Sequence, residues 1–227
     1  MVQLIDPMYL VMMVPALVLA GIAQMMVKSA FTKYSKTASY SGLTGAQAAE
    51  RMLRGGGVFD VSVEQSRGFL SDHYDPSRKA LRLSPDVYGS SSLAAVGIAC
   101  HEAGHALQHA EGYMPLALRT VLVPVTSLSS NLAIYVFFLG MMFRSEWLVL
   151  VGCGMFAVAF VFALVTLPVE WDASARAKQH IVMTGVVSPT QEQDAAKVLN
   201  AAFLTYVAGA VASLMTLLYY LMRARRR

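Results

Sequence analysis

Four long apolar segments constrain the fold of this 227-residue chain more than any other feature of its sequence. Each approaches or exceeds the length of about 20 residues that a helix needs to cross a hydrocarbon core of roughly 30 Å. Only 14% of the residues are charged, compared with about 25% in ordinary soluble domains. The sequence therefore predicts a multi-pass membrane protein and excludes intrinsic disorder. The four segments occupy about residues 7–27, 116–143, 148–167 and 201–222.

Polar stretches divide the chain into five predicted regions. Residues 1–27 form an uncleaved transmembrane anchor, because positive charge follows the apolar segment instead of preceding it. Residues 28–116 must face water, since they hold nine of the eighteen lysines and arginines. Residues 117–168 form a transmembrane hairpin, residues 169–198 a polar segment, and residues 199–227 a transmembrane helix with a basic tail. The predicted fold is mainly α, with about four transmembrane helices and a small α+β catalytic portion.

The water-facing region begins with a predicted helix and continues into a predicted β region. Thr44 and Gln47 have capping-box spacing at the start of that helix, and three consecutive glycines at residues 55–57 end it. The last strand of the β region, residues 80–84, is predicted to offer an open edge to which a substrate backbone could add. The strand-like segments lie at residues 58–63, 69–74 and 80–84.

The run LAAVGIACHEAGHALQHA, residues 93–110, predicts an alanine-rich helix that carries a metal-binding pattern. Side chains four residues apart project from one face of a helix, so His101 and His105 can both turn a nitrogen toward one ion. Glu102 lies close enough to hold water at that ion. This is the HExxH arrangement of zinc proteases, or zincins, in which the metal acidifies water and the carboxylate takes its proton. Gly104 leaves the helix surface open beside the metal.

A hydrolytic zinc site uses three protein ligands and one open position, so a third ligand is required. His109 lies eight residues beyond His101, about 12 Å along an unbroken helix, which is too far for both to bind one ion. Glu111 stands where one class of zinc proteases places its third ligand, after a glycine turn. Gln108 replaces the glycine of that turn, and Glu111 therefore stays an alternative.

Glu170 is the favoured third ligand. It stands at the end of the third apolar segment, in the run LPVEWDASARAKQH. Two predicted spans separate His105 from Glu170, and an even number of crossings returns the chain to the side that it left. The topology therefore allows this carboxylate to meet the two histidines at one membrane face.

The chain resembles the YugP-type family of neutral zinc metallopeptidases of bacterial membranes in three blocks: DHYDPSRKALRLSPDVY, SSLAAVGIACHEAGHALQHA and LPVEWDASARA. The similarity covers nearly the whole chain. This family is more distantly similar to the HtpX-like and CAAX-prenyl membrane proteases, which pair HExxH with a downstream glutamate. The resemblance implies that His101, His105 and Glu170 bind one Zn²⁺ ion per chain and that Glu102 is the general base and acid.

The resemblance is incomplete after the glutamate, because Ser174 stands where the more distant relatives have an aspartate. Either Asp172 or Ser174 could therefore support a histidine ligand from outside the metal site. A further donor should stabilise the oxyanion of the reaction. Arg176 and His180, on the polar segment after Glu170, are the candidates.

The pattern as a whole predicts a membrane-embedded zinc endopeptidase that acts on unfolded or membrane-associated polypeptides. One alternative is an intramembrane protease of the site-2 kind, which would supply an aspartate from an Asp-Gly motif, and the sequence contains no Asp-Gly pair. The other alternative is a non-catalytic zinc-binding scaffold, in which four protein side chains would surround the metal.

Charge indicates the surroundings of the protein. A net charge of +4 and an arginine-rich tail suit an anionic lipid surface and give no reason to expect nucleic acid. Lysines and arginines near the spans favour a cytoplasmic active site in the bacterial inner membrane, by seven on that face against five on the other. The expected partners are a polypeptide substrate and the bilayer, and no particular oligomer or adaptor follows from the sequence.

Overall fold

The computed structural model describes residues 6–68 and 71–225. Within these ranges the chain forms seven helices and a small sheet of three strands, and the prediction of a mainly helical membrane protein is confirmed. Two residues of the predicted strand at 69–74, Phe69 and Leu70, lie outside the described residues. The elements in chain order are α1 (Pro7–Tyr34), α2 (Gly45–Gly55), β1 (Ser62–Gln65), β2 (His73–Asp75), β3 (Ala80–Leu83), α3 (Pro85–Tyr88), α4 (Leu93–Ala110), α5 (Met114–Met142), α6 (Glu146–Met183) and α7 (Pro189–Arg225).

Among the described residues, the four helices α1, α5, α6 and α7 are long and apolar enough to cross a membrane. Two of them extend well beyond the apolar segments. Helix α6 continues through Pro168 to Met183, because the residues that follow include three alanines and Glu170, Arg176, Lys178 and Gln179, which favour helix although the segment is no longer continuously apolar. Helix α7 begins at Pro189, since proline is well tolerated at the first position of a helix. Hydropathy therefore predicted the apolar part of these helices and missed their polar ends.

The chain separates into two compact units, and the first contains most of the apolar helical length. Its core packs Phe137 of α5 against Tyr220 of α7, whose ring stacks on Phe156 of α6 with centroids 4.3 Å apart. A Cβ at Gly152 would lie 2.8 Å from the Phe137 backbone. Glycine there allows α5 and α6 to approach closely. This unit comprises the described residues of Met1–Ala23, Leu118–Leu167 and Thr205–Arg227.

The second unit, Gln24–Ala117 with Pro168–Leu204, contains the sheet and helices α2, α3 and α4. Helix α2 begins with the predicted capping box, in which Thr44 accepts from the Gln47 amide and the Gln47 side chain accepts from the Thr44 amide. Its apolar face packs on α4 around Met52 and Leu107, which are 0% and 1% exposed. Burial of both helices in one core fixes α4 as a rigid support.

The three strands pair in the order β1-β3-β2, with β1 parallel and β2 antiparallel to β3. Strand β3 is therefore the central strand, and both of its edges are already bonded. The prediction that residues 80–84 offer an open edge to a substrate backbone is wrong. Alternation of apolar residues identified this strand, but it does not reveal which neighbours a strand acquires. Leu81 and Leu83 face the core and are completely buried.

Helices α4 and α6 come into backbone contact within the second unit. A Cβ built on Gly104 of α4 would lie 2.5 Å from the carbonyl oxygen of Ala173 on α6. No side chain larger than hydrogen fits at that point unless the α6 backbone moves. The prediction that Gly104 leaves the helix surface open beside the metal is therefore wrong. The α6 backbone occupies this surface.

Substituting Gly104→Ala should push α6 away from α4 and reduce stability. Overpacking of this kind costs about 1–3 kcal/mol. Thermal unfolding of the purified protein in detergent, followed by circular dichroism, would show a lower midpoint than for the native chain.

Gly97→Ala is the matched control on the same helix, because a Cβ at Gly97 meets nothing within 4 Å. Both substitutions raise helix propensity by up to about 1 kcal/mol, so the difference between them isolates the contact with α6. Equal midpoints for the two variants would show that the close approach does not contribute to stability.

Candidate metal centre

Helix α4 carries the two histidines of the HExxH pattern one turn apart. The helix begins after Ser92, whose hydroxyl caps the amide of Ala95, and its interior is almost entirely buried. The His101 and His105 rings lie edge to face with centroids 4.9 Å apart. The capped, packed helix therefore holds both imidazoles on the face that meets α6.

Helix α6 brings Glu170 to the same point. The Glu170 Oε2 atom lies 3.1 Å from His101 Nε2 and 3.6 Å from His105 Nε2. The side chains of the three residues are 13%, 8% and 1% exposed for His101, His105 and Glu170. Ala173, which contacts Gly104, follows Glu170 by less than one helical turn, so the close approach of the helices and the position of the carboxylate share one cause.

The three side chains fit a divalent metal ion. One ligand atom from each lies within 4.8 Å of the other two, and they form the one such group among the described residues. Two donors that are each about 2.1 Å from a tetrahedral zinc ion lie about 3.4 Å apart, close to the nitrogen–oxygen separations of 3.1 and 3.6 Å. Two imidazole nitrogens and a carboxylate oxygen are also the donor set that zinc accepts.

The second ring nitrogen of each histidine is held by a neighbouring side chain. His101 Nδ1 lies 3.1 Å from the hydroxyl of Ser174, and His105 Nδ1 lies 2.9 Å from Oε1 of Gln108. Both rings are therefore held with Nε2 toward Glu170. Such outer contacts orient metal-binding histidines in proteins.

The sequence analysis missed the role of Gln108, which it treated only as a replacement for glycine. The Gln108 side chain is completely buried, and its amide nitrogen donates to the Val169 carbonyl and to Asp172 Oδ2, both at 2.8 Å. Asp172 thus reaches His105 through Gln108, whereas Ser174 contacts His101 directly. The spacing of three residues from His105 was a usable signal, because residues i and i+3 are neighbours on a helix.

Arg176 lies between two carboxylates at the end of this polar group. Its Nε atom donates to Asp172 Oδ2 at 2.6 Å, and a terminal nitrogen donates to Glu111 Oε2 at 2.7 Å. Glu111, the alternative third ligand, is therefore placed on Arg176 and is not part of the His101–His105–Glu170 group. These ion pairs use part of the guanidinium, and the assignment of Arg176 as an oxyanion donor stays a prediction.

The remaining polar candidates lie around this group. The His109 Nδ1 atom hydrogen-bonds to the Tyr74 hydroxyl at 2.8 Å, which joins α4 to β2. His180 follows Glu170 by ten residues on α6, which is about 15 Å along the axis, and its role as an oxyanion donor stays a prediction. Glu102 is partly exposed, and its role as general base and acid stays a prediction.

Electrostatics around His105 favour a cationic partner. Burial alone would lower the pKa of His105, but the hydrogen bond to Glu170 and the charges of Glu102 and Glu170 raise it above its ordinary value. The negative surroundings that attract a proton to this imidazole would equally attract a metal cation. Burial raises the pKa of the adjacent Cys100 thiol to about 12, and Cys100 is not part of the His101–His105–Glu170 group.

Comparisons with known proteins identify the family of the chain. A family described as "Putative neutral zinc metallopeptidase" matches residues 9–225. The chain is 47% identical over 214 residues to "Putative membrane protease YugP" of Bacillus subtilis (strain 168). The aligned region covers 94% of this chain and 95% of that relative. No solved structure matches the chain. The resemblance in the three sequence blocks is confirmed: the chain belongs to this family of membrane zinc metallopeptidases.

Proposed function

We propose that this chain is a zinc-dependent endopeptidase, with one zinc ion per chain held by His101, His105 and Glu170 and with Glu102 as the general base and acid. The convergence of two imidazoles and one carboxylate beside Glu102 carries the proposal. Membership of a zinc metallopeptidase family supports the choice of metal and of reaction.

The number of ligand side chains favours a hydrolytic site over a structural one. Structural zinc sites are closed by four protein ligands, whereas catalytic sites use three and keep one position for water or substrate. The metal-capable group among the described residues contains three side chains. This composition speaks against the non-catalytic scaffold that the sequence left as an alternative.

Different residues of the chain are proposed to transfer protons and to orient the metal ligands. When bound, zinc acidifies water and polarises a carbonyl group. Glu102 accepts the proton of the attacking water on its carboxylate and delivers it to the leaving amine nitrogen. Ser174 and Gln108 hold the rings of His101 and His105 so that neither histidine is free to turn away.

The substrate is proposed to be an extended segment of an unfolded or membrane-associated polypeptide. The ligand side chains are at most 13% exposed, so a substrate must enter a recessed site. A flexible chain can extend into such a site, while a rigid folded surface cannot. The four apolar helices hold the enzyme at a bilayer, where such polypeptides occur.

The active site is proposed to face the cytoplasm from the bacterial inner membrane. Positive residues near membrane spans prefer the cytoplasmic side. The sequence places seven of them on the active-site face and five on the opposite face, of which Arg226 and Arg227 lie outside the described residues. The seven are Lys28, Lys33, Lys36, Arg119, Arg176, Lys178 and Lys197, and the other three of the five are Arg144, Arg223 and Arg225.

Removing a ligand should remove the metal. His101→Ala and Glu170→Ala each delete one of three donors, and both variants should lose most of the zinc that the native protein retains through purification. Elemental analysis by mass spectrometry gives the zinc content per chain, which should be about one for the native protein.

His73→Ala is the matched control, because His73 is exposed on β2 and its ring nitrogen Nδ1 hydrogen-bonds to the nearby Ser71 carbonyl, away from the proposed metal ligands. It should retain zinc at the native level. Full zinc occupancy in Glu170→Ala would remove Glu170 from the ligand set.

Replacing the proposed general base should abolish activity without loss of metal. Glu102→Gln keeps the size of the side chain but cannot accept the proton, and general acid–base catalysis contributes about 10²–10⁴-fold to rate. We expect kcat/KM to fall by about that factor on a reduced and carboxymethylated soluble protein, with zinc content unchanged.

Glu50→Gln, an exposed change on α2, should retain native activity.

The soluble substrate protein in its native, folded form should be cleaved far more slowly than its unfolded, carboxymethylated form. Cleavage of a transmembrane peptide in preference to the unfolded protein would instead support the site-2 alternative. An unaltered rate in zinc-loaded Glu102→Gln would overturn the mechanism.

The side of the membrane that the active site faces can be determined by labelling introduced cysteines. Both native cysteines are buried, so a membrane-impermeant thiol reagent should leave the native chain unlabelled. In intact cells it should label Ser145→Cys, between α5 and α6, and spare Ser77→Cys, in the turn before β3. The reverse pattern would place the active site outside the cytoplasm.

A further inference from the structure

The Gln108 amide connects the two helices that carry the proposed ligands. Its oxygen faces His105 on α4 at 2.9 Å, and its nitrogen bonds to the Val169 carbonyl and to Asp172 on α6, both at 2.8 Å. The side chain is 0% exposed, so water does not compete for these bonds. A buried amide with every contact this short is held in one orientation.

We propose that Gln108 is a positioning residue that fixes the proton of His105 on Nδ1 and thereby directs the Nε2 lone pair to the metal. The inference rests on the proposed function, because it concerns one of the three proposed zinc ligands. In this proposal Gln108 acts through His105 and itself contacts neither the metal nor the substrate.

The orientation of the amide follows from its partners on α6. A backbone carbonyl can only accept a hydrogen bond, and the same holds for an ionised carboxylate. The NH₂ group of Gln108 must therefore face Val169 and Asp172, and the amide oxygen must face His105. An oxygen acceptor there requires a donor on the ring, so a hydrogen lies on His105 Nδ1, and Nε2 is the nitrogen whose lone pair can be given to a metal ion bound beside Glu170.

His101 does not have an equivalent constraint. Its Nδ1 atom contacts the Ser174 hydroxyl at 3.1 Å, and a hydroxyl can either donate or accept. The two histidines of the motif therefore differ: an amide that cannot invert dictates the tautomer of His105, whereas the serine adapts to either tautomer of His101.

Asp172 and Arg176, both on α6, hold the Gln108 amide in place. The Asp172 Oδ2 atom that accepts from Gln108 also accepts from Arg176 Nε at 2.6 Å, and Arg176 is paired with Glu111. The ion pair with Arg176 holds the Asp172 carboxylate in place beside Gln108. The support of a histidine by Asp172, which the sequence raised as a possibility, thus passes through Gln108.

The hydrogen bond from Gln108 to Val169 also affects the position of Glu170. Val169 is the residue before Glu170, so the bond from Gln108 fixes the α6 backbone next to the carboxylate ligand. Loss of this bond should loosen the separation of 3.6 Å between His105 Nε2 and Glu170 Oε2. Loss of outer contacts to metal ligands typically lowers metal affinity by about 10–100-fold.

The test compares the zinc affinity of purified full-length variants in detergent, measured by competition with a chromophoric chelator. Gln108→Met keeps an unbranched side chain of similar length and removes both ends of the amide. We expect its zinc dissociation constant to rise by about 10–100-fold. Leu107→Ala is the matched control, because it removes core packing from the same helix and the apolar Leu107 side chain cannot hydrogen-bond to either histidine. Its zinc dissociation constant should stay near the native value.

A second readout detects the tautomer itself. The zinc-free protein is labelled with ¹⁵N-histidine in a Glu170→Ala background, which removes the carboxylate that would otherwise accept a hydrogen from His105 Nε2. At a pH where the imidazoles are neutral, nitrogen chemical shifts distinguish Nδ1–H from Nε2–H. In this background the otherwise native chain and Leu107→Ala should show Nδ1–H for His105, whereas Gln108→Met should show the mixture of an unconstrained ring. Gln108→Leu, which also removes the acceptor toward His105, should show the same mixture and decides the question if Gln108→Met does not fold.

The outcomes separate this inference from the proposed function. A native chain that binds no zinc would overturn the proposed function. A native chain that binds zinc, together with a Gln108→Met variant of equal affinity and unchanged tautomer, would overturn only the role of Gln108. A loss of affinity in Leu107→Ala as large as that in Gln108→Met would also overturn it, because general destabilisation would then explain both.

Discussion

The backbone contact between Gly104 of α4 and Ala173 of α6 is the constraint on which the centre depends. A hydrogen atom is the only side chain that this contact accommodates, since any Cβ would lie 2.5 Å from the Ala173 carbonyl oxygen. Because Ala173 and Glu170 lie on neighbouring turns of one face, the approach that brings the backbones together also brings the carboxylate to the two histidines. The HExxH helix supplies two donors, and this contact delivers the third.

Buried polar groups surround the centre, and the structure explains how most of them are satisfied. Polar atoms removed from water destabilise a fold unless they find partners. Here the partners form an ordered series from His105 through Gln108, Asp172 and Arg176 to Glu111. The series begins at a buried imidazole and ends at a carboxylate that is 60% exposed, so it connects the buried centre to the solvent.

The sequence predicted the parts of this arrangement that depend on local spacing. Residues four apart on a helix share a face wherever the helix lies, so His101 and His105 were identifiable without coordinates. The capping box at Thr44 is local in the same sense. Glu170 required the additional argument that an even number of apolar spans returns the chain to its starting side, and the structure does bring it within 3.1 Å of His101.

Features that depend on tertiary partners could not be predicted in this way. The β3 strand was recognised, but its central place in the sheet depends on β1 and β2, whose pairing no local pattern encodes. Gln108 was misinterpreted because both partners of its amide nitrogen are on α6, about 60 residues away in sequence. The polar continuations of α6 and α7 escaped prediction because hydropathy detects apolar segments and not helices.

The short interval between Ala173 and Glu170 has a consequence for how the protein can vary. The register of the carboxylate relative to the two imidazoles is set within one turn of the contact between α4 and α6. An insertion inside the interval would rotate the carboxylate by about 100° about the axis and aim it away from the imidazoles. The interval between these two residues therefore cannot change in length without loss of the proposed third ligand.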